Sequence, residues 1–397
     1  MQQNNFKNST RPVKAPEEAK TKPKKPHFHQ KHPKISLLIV ALLITLVAGI
    51  IYYCLNQNKT VAPHQKTQKP VYYSALSGRK VNSKDKVHAT TTCIMIENSA
   101  AARPQSSLED AGVIYEAIAE GGISRFLALY QDRKPELVGP IRSVRMHFAE
   151  WAMPYHCSLA HVGGADDALK SVRHQDSFRD IDQFFNDGTY WRSRNRRAPH
   201  NVYSSFEKID ALNRDKNYDS SIYNGFARRD QKKTAKTNPK SKHKKASKDA
   251  SKDQPVKTNL ANLIDINLGA DKTFNVHYQW DRKNNNYIRS YQNGNMHQNI
   301  NLDGQSVQLR PDVVIAMAVD SVGRPGTNFS NFTTTGSGTT YIFQNGKVIK
   351  ATWHKDSVQS ELVFKNKKSK IIKLNRGQTW ISAYPKDGGS LHYSQRD

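Results

Sequence analysis

Residues 113–130 read VIYEAIAEGGISRFLALY, and this stretch decides the fold of the first half of the chain. Two apolar runs, 113–117 and 124–130, lie on either side of Gly121 and Gly122. Apolar runs of this length are typical of β-strands, and adjacent glycines are typical of the turn between two strands. The stretch therefore predicts a pair of neighbouring strands.

A helix is expected to follow these strands. Ser143 is a residue type that favours helix N-caps, and Val144, Phe148 and Trp151 recur at the spacing of one helix face. We therefore predict a helix over residues 144–153 with Ser143 as its cap.

Strands and helices alternate through residues 91–227. The apolar runs 93–97 and 157–162 predict two more buried strands, and a second helix is expected over 165–172. This alternation favours an α/β fold for the segment.

Residues 258–397 predict a mainly β domain. Asn345 and Gly346 separate the apolar runs 340–343 and 348–353, and Asn-Gly between two such runs is a strong hairpin signal. Further short apolar runs follow at 362–364, 371–374 and 379–384. We expect these runs to continue a meander in a small, mainly antiparallel β domain.

Cysteine usage excludes several classes of protein. Three cysteines in 397 residues exclude a disulfide-rich scaffold, and no Cys or His spacing is typical of a zinc site, so we expect no metal and no cofactor. Cys93 and Cys157 lie in apolar strands, where buried free thiols are expected. A disulfide between them is the alternative.

Residues 35–55 read ISLLIVALLITLVAGIIYYCL and contain no charge over 21 residues, which is long enough to cross a bilayer as a helix. Lys31 and Lys34 precede the run, and the positive-inside rule then places residues 1–34 in the cytoplasm and the later domains outside it. A cleaved signal peptide is the competing interpretation, but the run is longer than the usual apolar segment of such a peptide. We expect an uncleaved, single-pass transmembrane helix in the cell membrane.

The net charge of +27 is concentrated in three stretches. Residues 1–34, 57–90 and 228–257 together contain 28 basic and 6 acidic side chains and supply +22 of it. We interpret the first as a basic cytoplasmic tail, residues 56–90 as a tether, and 228–257 as a low-complexity linker or insertion. Because this charge lies outside the predicted domains, we do not expect a nucleic-acid partner.

Arginines near the start of the predicted helix form the first candidate site. Arg142 and Arg145 lie close to a helix N-terminus, where cations oppose the helix dipole and need a compensating anion. Arg125, on a neighbouring strand, can join them. The anion is either a bound phosphate or carboxylate, or the side chain of Glu116 or Glu120. Both interpretations stay open on the sequence.

A second candidate site lies in RSRNRRAPHNVYSS, residues 192–205. Arg197 has the planar guanidinium that suits phosphate and carboxylate groups. His200 is a candidate general acid or base, and Asn201 is a candidate polar contact. The alternative is a solvated loop without a ligand.

Several blocks resemble, in the same order, the YerB family of predicted bacterial lipoproteins. They are ARPQSSL (102–108), VIYEA (113–117), EGGISRF (120–126), VGPIRSVR (138–145), HVGG (161–164), APHNVY (198–203), GSGTTYIFQNGKVIKATWHK (336–355) and LNRGQTWI (374–381). The resemblance implies an extracytoplasmic protein of Gram-positive bacteria with an α/β domain and a β-rich domain, and it implies no activity. Many members are lipid-anchored, whereas an uncleaved helix is expected here, and 228–257 looks like an insertion.

Two functions are consistent with these features. The first is a membrane-anchored cell-envelope protein that binds an anionic wall polymer or an envelope protein through its arginines. The second is an envelope enzyme that acts on a phosphorylated carrier or wall polymer, with Arg125, Arg142 and Arg145 holding phosphate and Glu116 transferring a proton. The sequence supplies no complete catalytic set.

Overall fold

The computed structural model describes residues 33–57, 70–174, 178–229, 260–269, 271–323 and 326–395. These residues belong to two compact units, Met1–Lys69 and Pro70–Asp397, which are described separately. Nearly all of the predicted tail and linker lies outside the described residues.

The described part of the first unit is one helix, α1, Pro33–Gln57. Within it, Leu37–Asn56 has a mean hydropathy of 2.7, and none of it is buried inside the protein. The helix is long and apolar enough to cross a membrane. Secretory signal sequences share this character, so the helix does not by itself establish an anchor.

The N-terminal half of the second unit mixes strands and helices, as the sequence predicts. Its strands are β1 Tyr72–Tyr73, β2 Lys80–Val81, β3 Thr92–Glu97, β4 Val113–Glu120, β5 Ile123–Tyr130, β6 Ser158–His161, β7 Arg179–Asp182, β8 Tyr190–Arg192 and β9 Val202–Ser204. Its α-helices are α2 Met146–Ala152, α3 Asp166–His174 and α4 Phe206–Asp215.

The C-terminal half is rich in β-structure. Its strands are β10 Leu263–Asn267, β11 Val276–Asp281, β12 Asn286–Tyr291, β13 Gln298–Ile300, β14 Ser306–Gln308, β15 Val313–Val319, β16 Ser321–Gly323, β17 Ser330–Phe332, β18 Gly336–Gln344, β19 Lys347–Lys355, β20 Val363–Lys365, β21 Thr379–Pro385 and β22 Ser390–Ser394. The hairpin predicted at Asn345 and Gly346 is confirmed, since β18 pairs with β19 and both turn residues have positive φ.

Ten of the described strands form one sheet, in the order β20-β19-β18-β15-β21-β4-β5-β3-β6-β7. The halves join where β21 pairs in parallel with β4, with Thr379 opposite Val113. The segments 91–227 and 258–397, expected as separate folded units, therefore share one sheet. Apolar runs indicate that strands exist, but they do not specify which strands pair, and here the partners are distant in the sequence.

A buried ion pair lies at this junction. Arg289 on β12 donates from Nη2 to Oε1 of Glu116 on β4 at 2.8 Å, and neither side chain is exposed. Trp380 Nε1 and Ser382 Oγ, both on β21, donate to Glu116 Oε2 at 2.9 and 3.1 Å. Three side chains of the C-terminal half thus satisfy one buried carboxylate of the N-terminal half, as burial of a charge requires.

Residues 70–90 belong to the folded unit, which corrects the predicted tether over 56–90. Leu76 is buried in the core. Arg228, which was assigned to the linker at 228–257, is also packed, since its Nη2 donates to the main-chain oxygen of Leu76 at 2.7 Å. The polar composition of these segments did not indicate packing, because a few buried residues are enough to hold a short segment against the core.

Cys93 and Cys157 form a disulfide, so the prediction of free thiols is wrong. Cys93 lies on β3, Cys157 immediately precedes β6, and these two strands pair in parallel. The Cα atoms are 5.7 Å apart, a separation that suits a disulfide. The sequence could not show this contact because it depends on the pairing of the two strands.

The helix after Ser143 begins later than predicted. α2 starts at Met146 with Arg145 as its N-cap residue, and no side chain caps it. Ser143 lies two residues too early for its hydroxyl to serve as the cap. The apolar face of the helix is buried as predicted.

Replacing Glu116 with Gln should strongly destabilise the fold. The change leaves the Arg289 guanidinium buried without a counter-charge, and breaking a buried pair in this way costs about 3–5 kcal/mol. Urea denaturation of the purified protein measures the loss. The matched control is Asp320→Asn, which breaks the exposed pair with Lys386 and should cost below about 1 kcal/mol. Equal effects of the two substitutions would contradict the assignment.

Candidate functional site

The structure places the predicted site residues in three separate locations. Glu116 lies in the buried junction, where Arg289 neutralises it, so it is not available for proton transfer to a ligand. Glu120, Arg125 and Arg145 form a second group. Arg197, His200 and Asn201 belong to the loop between β8 and β9.

Glu120 joins two of the predicted arginines. Its Oε1 accepts from Arg125 Nη2 at 2.9 Å, and its Oε2 accepts from Arg145 Nη2. Arg125 is only 2% exposed, and its Nη1 donates to the main-chain oxygen of Ser143 at 2.6 Å. This geometry supports the internal Arg–Glu pairing and leaves Arg125 little access to a ligand. Burial lowers the pKa of Arg125 to about 9 and that of Arg145 to about 10.

His147 is buried close to this group, on α2. Its ring packs against Phe148, Trp151 and Phe332, at 4.3 to 5.4 Å between ring centroids. Desolvation, together with the nearby charges of Arg125 and Arg145, lowers the pKa of His147 to about 3. The imidazole is therefore neutral in the folded protein at physiological pH.

An open cavity of about 700 Å³ lies elsewhere, beside the β8–β9 loop, and we call it the Arg197 pocket. Both halves of the second unit contribute to it. The lining residues are Ala101, Arg103, Ser106, Leu137, Trp191, Ser193, Asn195, Arg196, Arg197, His200, Tyr203, Ile300, Asn301, Leu302 and Gly304. Trp191 is 36% exposed and Leu302 is 59% exposed, so the cavity offers apolar surface as well as charge.

The cations of the Arg197 pocket have no carboxylate partners among the described residues. Arg196 donates to main-chain oxygens, those of Ala101 and Pro104 included, at 2.7 and 2.6 Å. Arg103 donates from Nε to Asn98 Oδ1 at 3.0 Å. These neutral acceptors fix the guanidinium groups without cancelling their charge. Arg197 itself is exposed, and the pocket therefore presents positive charge that no described carboxylate pairs with.

A carboxylate–histidine pair borders the pocket. His200 Nδ1 lies 2.8 Å from Oε1 of Glu97, and Ser99 Oγ donates to the same oxygen at 3.0 Å. The Glu97 side chain is 5% exposed, whereas His200 is 26% exposed. With Nδ1–H donating to the carboxylate, a neutral imidazole has its lone pair on Nε2. Arg142 Nε lies 3.7 Å from Glu97 Oε1 and adds a positive charge to this pair.

Asn201 holds the loop rather than lining the pocket. Its Nδ2 donates to the main-chain oxygens of Ser193 and Arg196 at 3.1 and 3.3 Å, and its Oδ1 accepts from Arg192 at 2.9 Å. It is 7% exposed. Asn201 is therefore a positioning residue for Arg196 and Arg197.

Sequence reasoning missed Glu97, Arg103 and Leu302. Glu97 is the last residue of the fully buried strand β3 and its one charged residue, and a lone carboxylate at such a position was a usable signal. Arg103 and Leu302 had none, because they come from distant segments that only the folded chain brings together. No group of three or more His, Cys, Asp or Glu side chains in the described ranges could hold a metal ion.

Comparison with known proteins assigns the chain to a family. The N-terminal domain model of "Protein of unknown function (DUF3048)" matches residues 76–219, and the C-terminal domain model of the same family matches residues 264–381. The chain belongs to the DUF3048 family. One model matches the N-terminal half and the other matches the C-terminal half of the unit that contains the ten-stranded sheet.

The YerB protein of Bacillus subtilis is a relative within this family. A protein described as "Putative lipoprotein YerB" from strain 168 is 27% identical over 298 residues, which is 74% of this chain and 80% of the relative. The crystal structure of Bacillus subtilis YerB superposes with a TM-score of 0.65 at 24% identity, over 81% of this chain and 99% of that one. The expected resemblance to YerB is confirmed.

His147 should make the fold less stable as the pH falls. Its folded pKa of about 3 lies below the value of about 6.5 in an unfolded chain, so below pH 6.5 the unfolded state binds more protons. Between pH 7 and pH 5 this group should remove about 2 kcal/mol from the free energy of unfolding. Well above pH 6.5 the ring is neutral in both the folded and the unfolded state, and this penalty is absent.

In the variant His147→Phe, the free energy of unfolding should therefore fall by about 2 kcal/mol less between pH 7 and pH 5 than it does in the native protein. Urea denaturation at the two pH values measures it. The exposed His392 provides the control, because His392→Gln should leave the pH dependence unchanged. An unchanged pH dependence in His147→Phe would contradict the assignment.

Proposed function

We propose that this DUF3048-family chain is a cell-envelope protein of a Gram-positive bacterium, anchored in the membrane by α1 with its folded unit outside the cytoplasm. The apolar helix supports an anchor. The disulfide supports an oxidising compartment, because such bonds are rare in the cytosol. The relative described as a putative lipoprotein supports a location outside the cytoplasm, and in a lipoprotein a lipid would take the place of the helix as the anchor.

The ligand that we propose is an anionic segment of an envelope polymer, bound in the Arg197 pocket. One observation supports it above the others: Arg103, Arg196 and Arg197 line a cavity of about 700 Å³ without an ion pair to any described carboxylate. Arginine forks recognise phosphate and carboxylate groups through paired hydrogen bonds. The exposed rings and aliphatic groups of Trp191 and Leu302 add contact area for the carbon skeleton that bears the charge.

An enzyme is the second candidate, and the pair Glu97–His200 favours it. A histidine held through Nδ1 by a buried carboxylate is the usual arrangement of a general acid or base. This pair would take the proton-transfer role that the sequence analysis gave to Glu116. Product formed from the bound polymer by the native protein and lost in His200→Gln would establish this activity, whereas binding without product supports the first function.

Arg197→Ala should weaken binding of a purified anionic wall polymer by about tenfold or more, because a hydrogen bond to a charged group contributes about 1.5–3 kcal/mol. The full-length protein in a zwitterionic detergent is titrated calorimetrically. Arg194→Ala is the matched control, since Arg194 is exposed in the same loop but does not line the pocket. Equal losses in both variants would indicate non-specific charge attraction instead of a site.

The state of the cysteines in living cells tests the compartment. If the folded unit lies outside the cytoplasm, only Cys54 is a free thiol, because Cys93 and Cys157 are joined. Cells are quenched in acid, and the denatured protein is reacted with a polyethylene-glycol maleimide before and after reduction. We expect at most one added group before reduction and three after it. Three added groups without reduction would place the folded unit in a reducing compartment.

A further inference from the structure

A second cavity, of about 490 Å³, lies where both halves of the folded unit meet, and we call it the Lys80 pocket. Its lining is almost entirely polar. The residues are Arg79, Lys80, Glu109, Arg133, Asn286, Gln308, Arg310, Asp312, Arg376, Gly377 and Gln378. None of them lines the Arg197 pocket.

Five cations from four separate segments of the chain converge on this cavity. Lys80 lies on β2, Arg133 follows β5, Arg310 precedes β15, and Arg376 precedes β21. Bringing like charges together is unfavourable unless an anion compensates them. The convergence of distant segments therefore distinguishes this cavity from a run of basic residues along one loop.

Three of the arginines form ion pairs with carboxylates, but these pairs leave most N–H donors of each guanidinium unused. Arg310 Nη1 donates to Asp281 at 2.8 Å, Arg79 Nη1 donates to Asp132 at 3.4 Å, and Arg133 Nη1 lies 3.5 Å from Asp110 Oδ1. A guanidinium has five N–H donors, so each of these pairs engages a minority of them. Lys80 is exposed and forms no ion pair within the described residues.

Two carboxylates also line the Lys80 pocket, and each already accepts a hydrogen bond from the protein. Glu109 Oε2 accepts from Asn299 Nδ2, and burial raises the pKa of Glu109 and of Asp312. Asp312 Oδ2 in addition accepts from the main-chain nitrogen of Gln378 at 2.7 Å. The remaining lining is cationic or amide.

We propose that the Lys80 pocket binds a multiply charged phosphate-type anion, either a free one or the phosphodiester of an anionic polymer. The anion lies between Lys80 and Arg310, with Arg79 and Arg133 at its rim. Arg376 is held in place by donating from Nη1 to the main-chain oxygen of Gly78 at 2.9 Å, and by stacking over the Tyr73 ring at 3.6 Å. The proposal does not rest on the Arg197 pocket, since the two sites share no lining residue.

The test is a calorimetric titration of the full-length protein in a zwitterionic detergent. The probes are inorganic pyrophosphate and a short glycerol phosphate oligomer. All proteins carry Arg197→Ala, so that binding in the first pocket is weakened equally in every variant. Lys80→Ala with Arg310→Ala is compared with the control pair Lys272→Ala with Arg282→Ala, which lies outside both pockets. Because exposed ion pairs add little stability, the temperature of thermal unfolding should be unchanged in both doubly substituted proteins.

We expect the Lys80→Ala, Arg310→Ala protein to bind the better probe at least about tenfold more weakly than the control pair does, which corresponds to about 1.4 kcal/mol. Tighter binding of the oligomer assigns the pocket to a polymer, and tighter binding of pyrophosphate assigns it to a free anion. Equal affinities in the two variant pairs, or no binding of either probe to the control pair, would overturn the proposal.

Discussion

The ion pair between Glu116 and Arg289 is the interaction on which the folded unit depends. Each partner is fully buried, and each would be costly alone because a single charge without solvent or a counter-charge is strongly disfavoured. Glu116 belongs to the N-terminal half and Arg289 to the C-terminal half, so neither half can fold with its own charge satisfied. The parallel pairing of β4 with β21 places Ser382 opposite Glu116, and Arg289 reaches the same carboxylate from β12 of a separate four-stranded sheet. The buried carboxylate thus binds side chains from two sheets of the C-terminal half.

A continuous set of hydrogen bonds connects this ion pair with the Arg197 pocket. Arg289 Nε donates to His297 Nδ1 at 2.8 Å, His297 Nε2 lies 3.1 Å from Gln105 Oε1, and Gln105 Nε2 donates to the main-chain oxygen of Glu97 at 3.0 Å. Burial and the neighbouring Arg289 and Arg103 lower the pKa of His297 well below its usual value, which keeps the ring neutral. The position of the Glu97–His200 pair is therefore set by the same contacts that join the halves.

The sequence predicted those features that depend on neighbouring residues. The hairpin at Asn345 and Gly346 follows from turn chemistry, and the apolar face of α2 follows from helical spacing. The shared sheet, the Cys93–Cys157 disulfide and the partner of Glu116 depend on which distant strands pair, and local patterns do not encode that choice. The residues of the candidate site also fall into those that the sequence indicated and those that only the fold brings together. Arg197 and His200 were recognisable from residue type and Glu97 from its place in a buried strand, but only the fold shows that Glu97 and His200 pair.

Hydrogen exchange measured by mass spectrometry tests most directly whether the two halves form one cooperative unit. The informative peptides are those that cover β4, Val113–Glu120, and β21, Thr379–Pro385. If the buried pair and the shared sheet join the halves, both peptides should exchange only through one opening reaction, with the same free energy and the same dependence on denaturant. Exchange of β21 at a clearly lower free energy than β4 would show that the C-terminal half opens independently, and it would contradict this account.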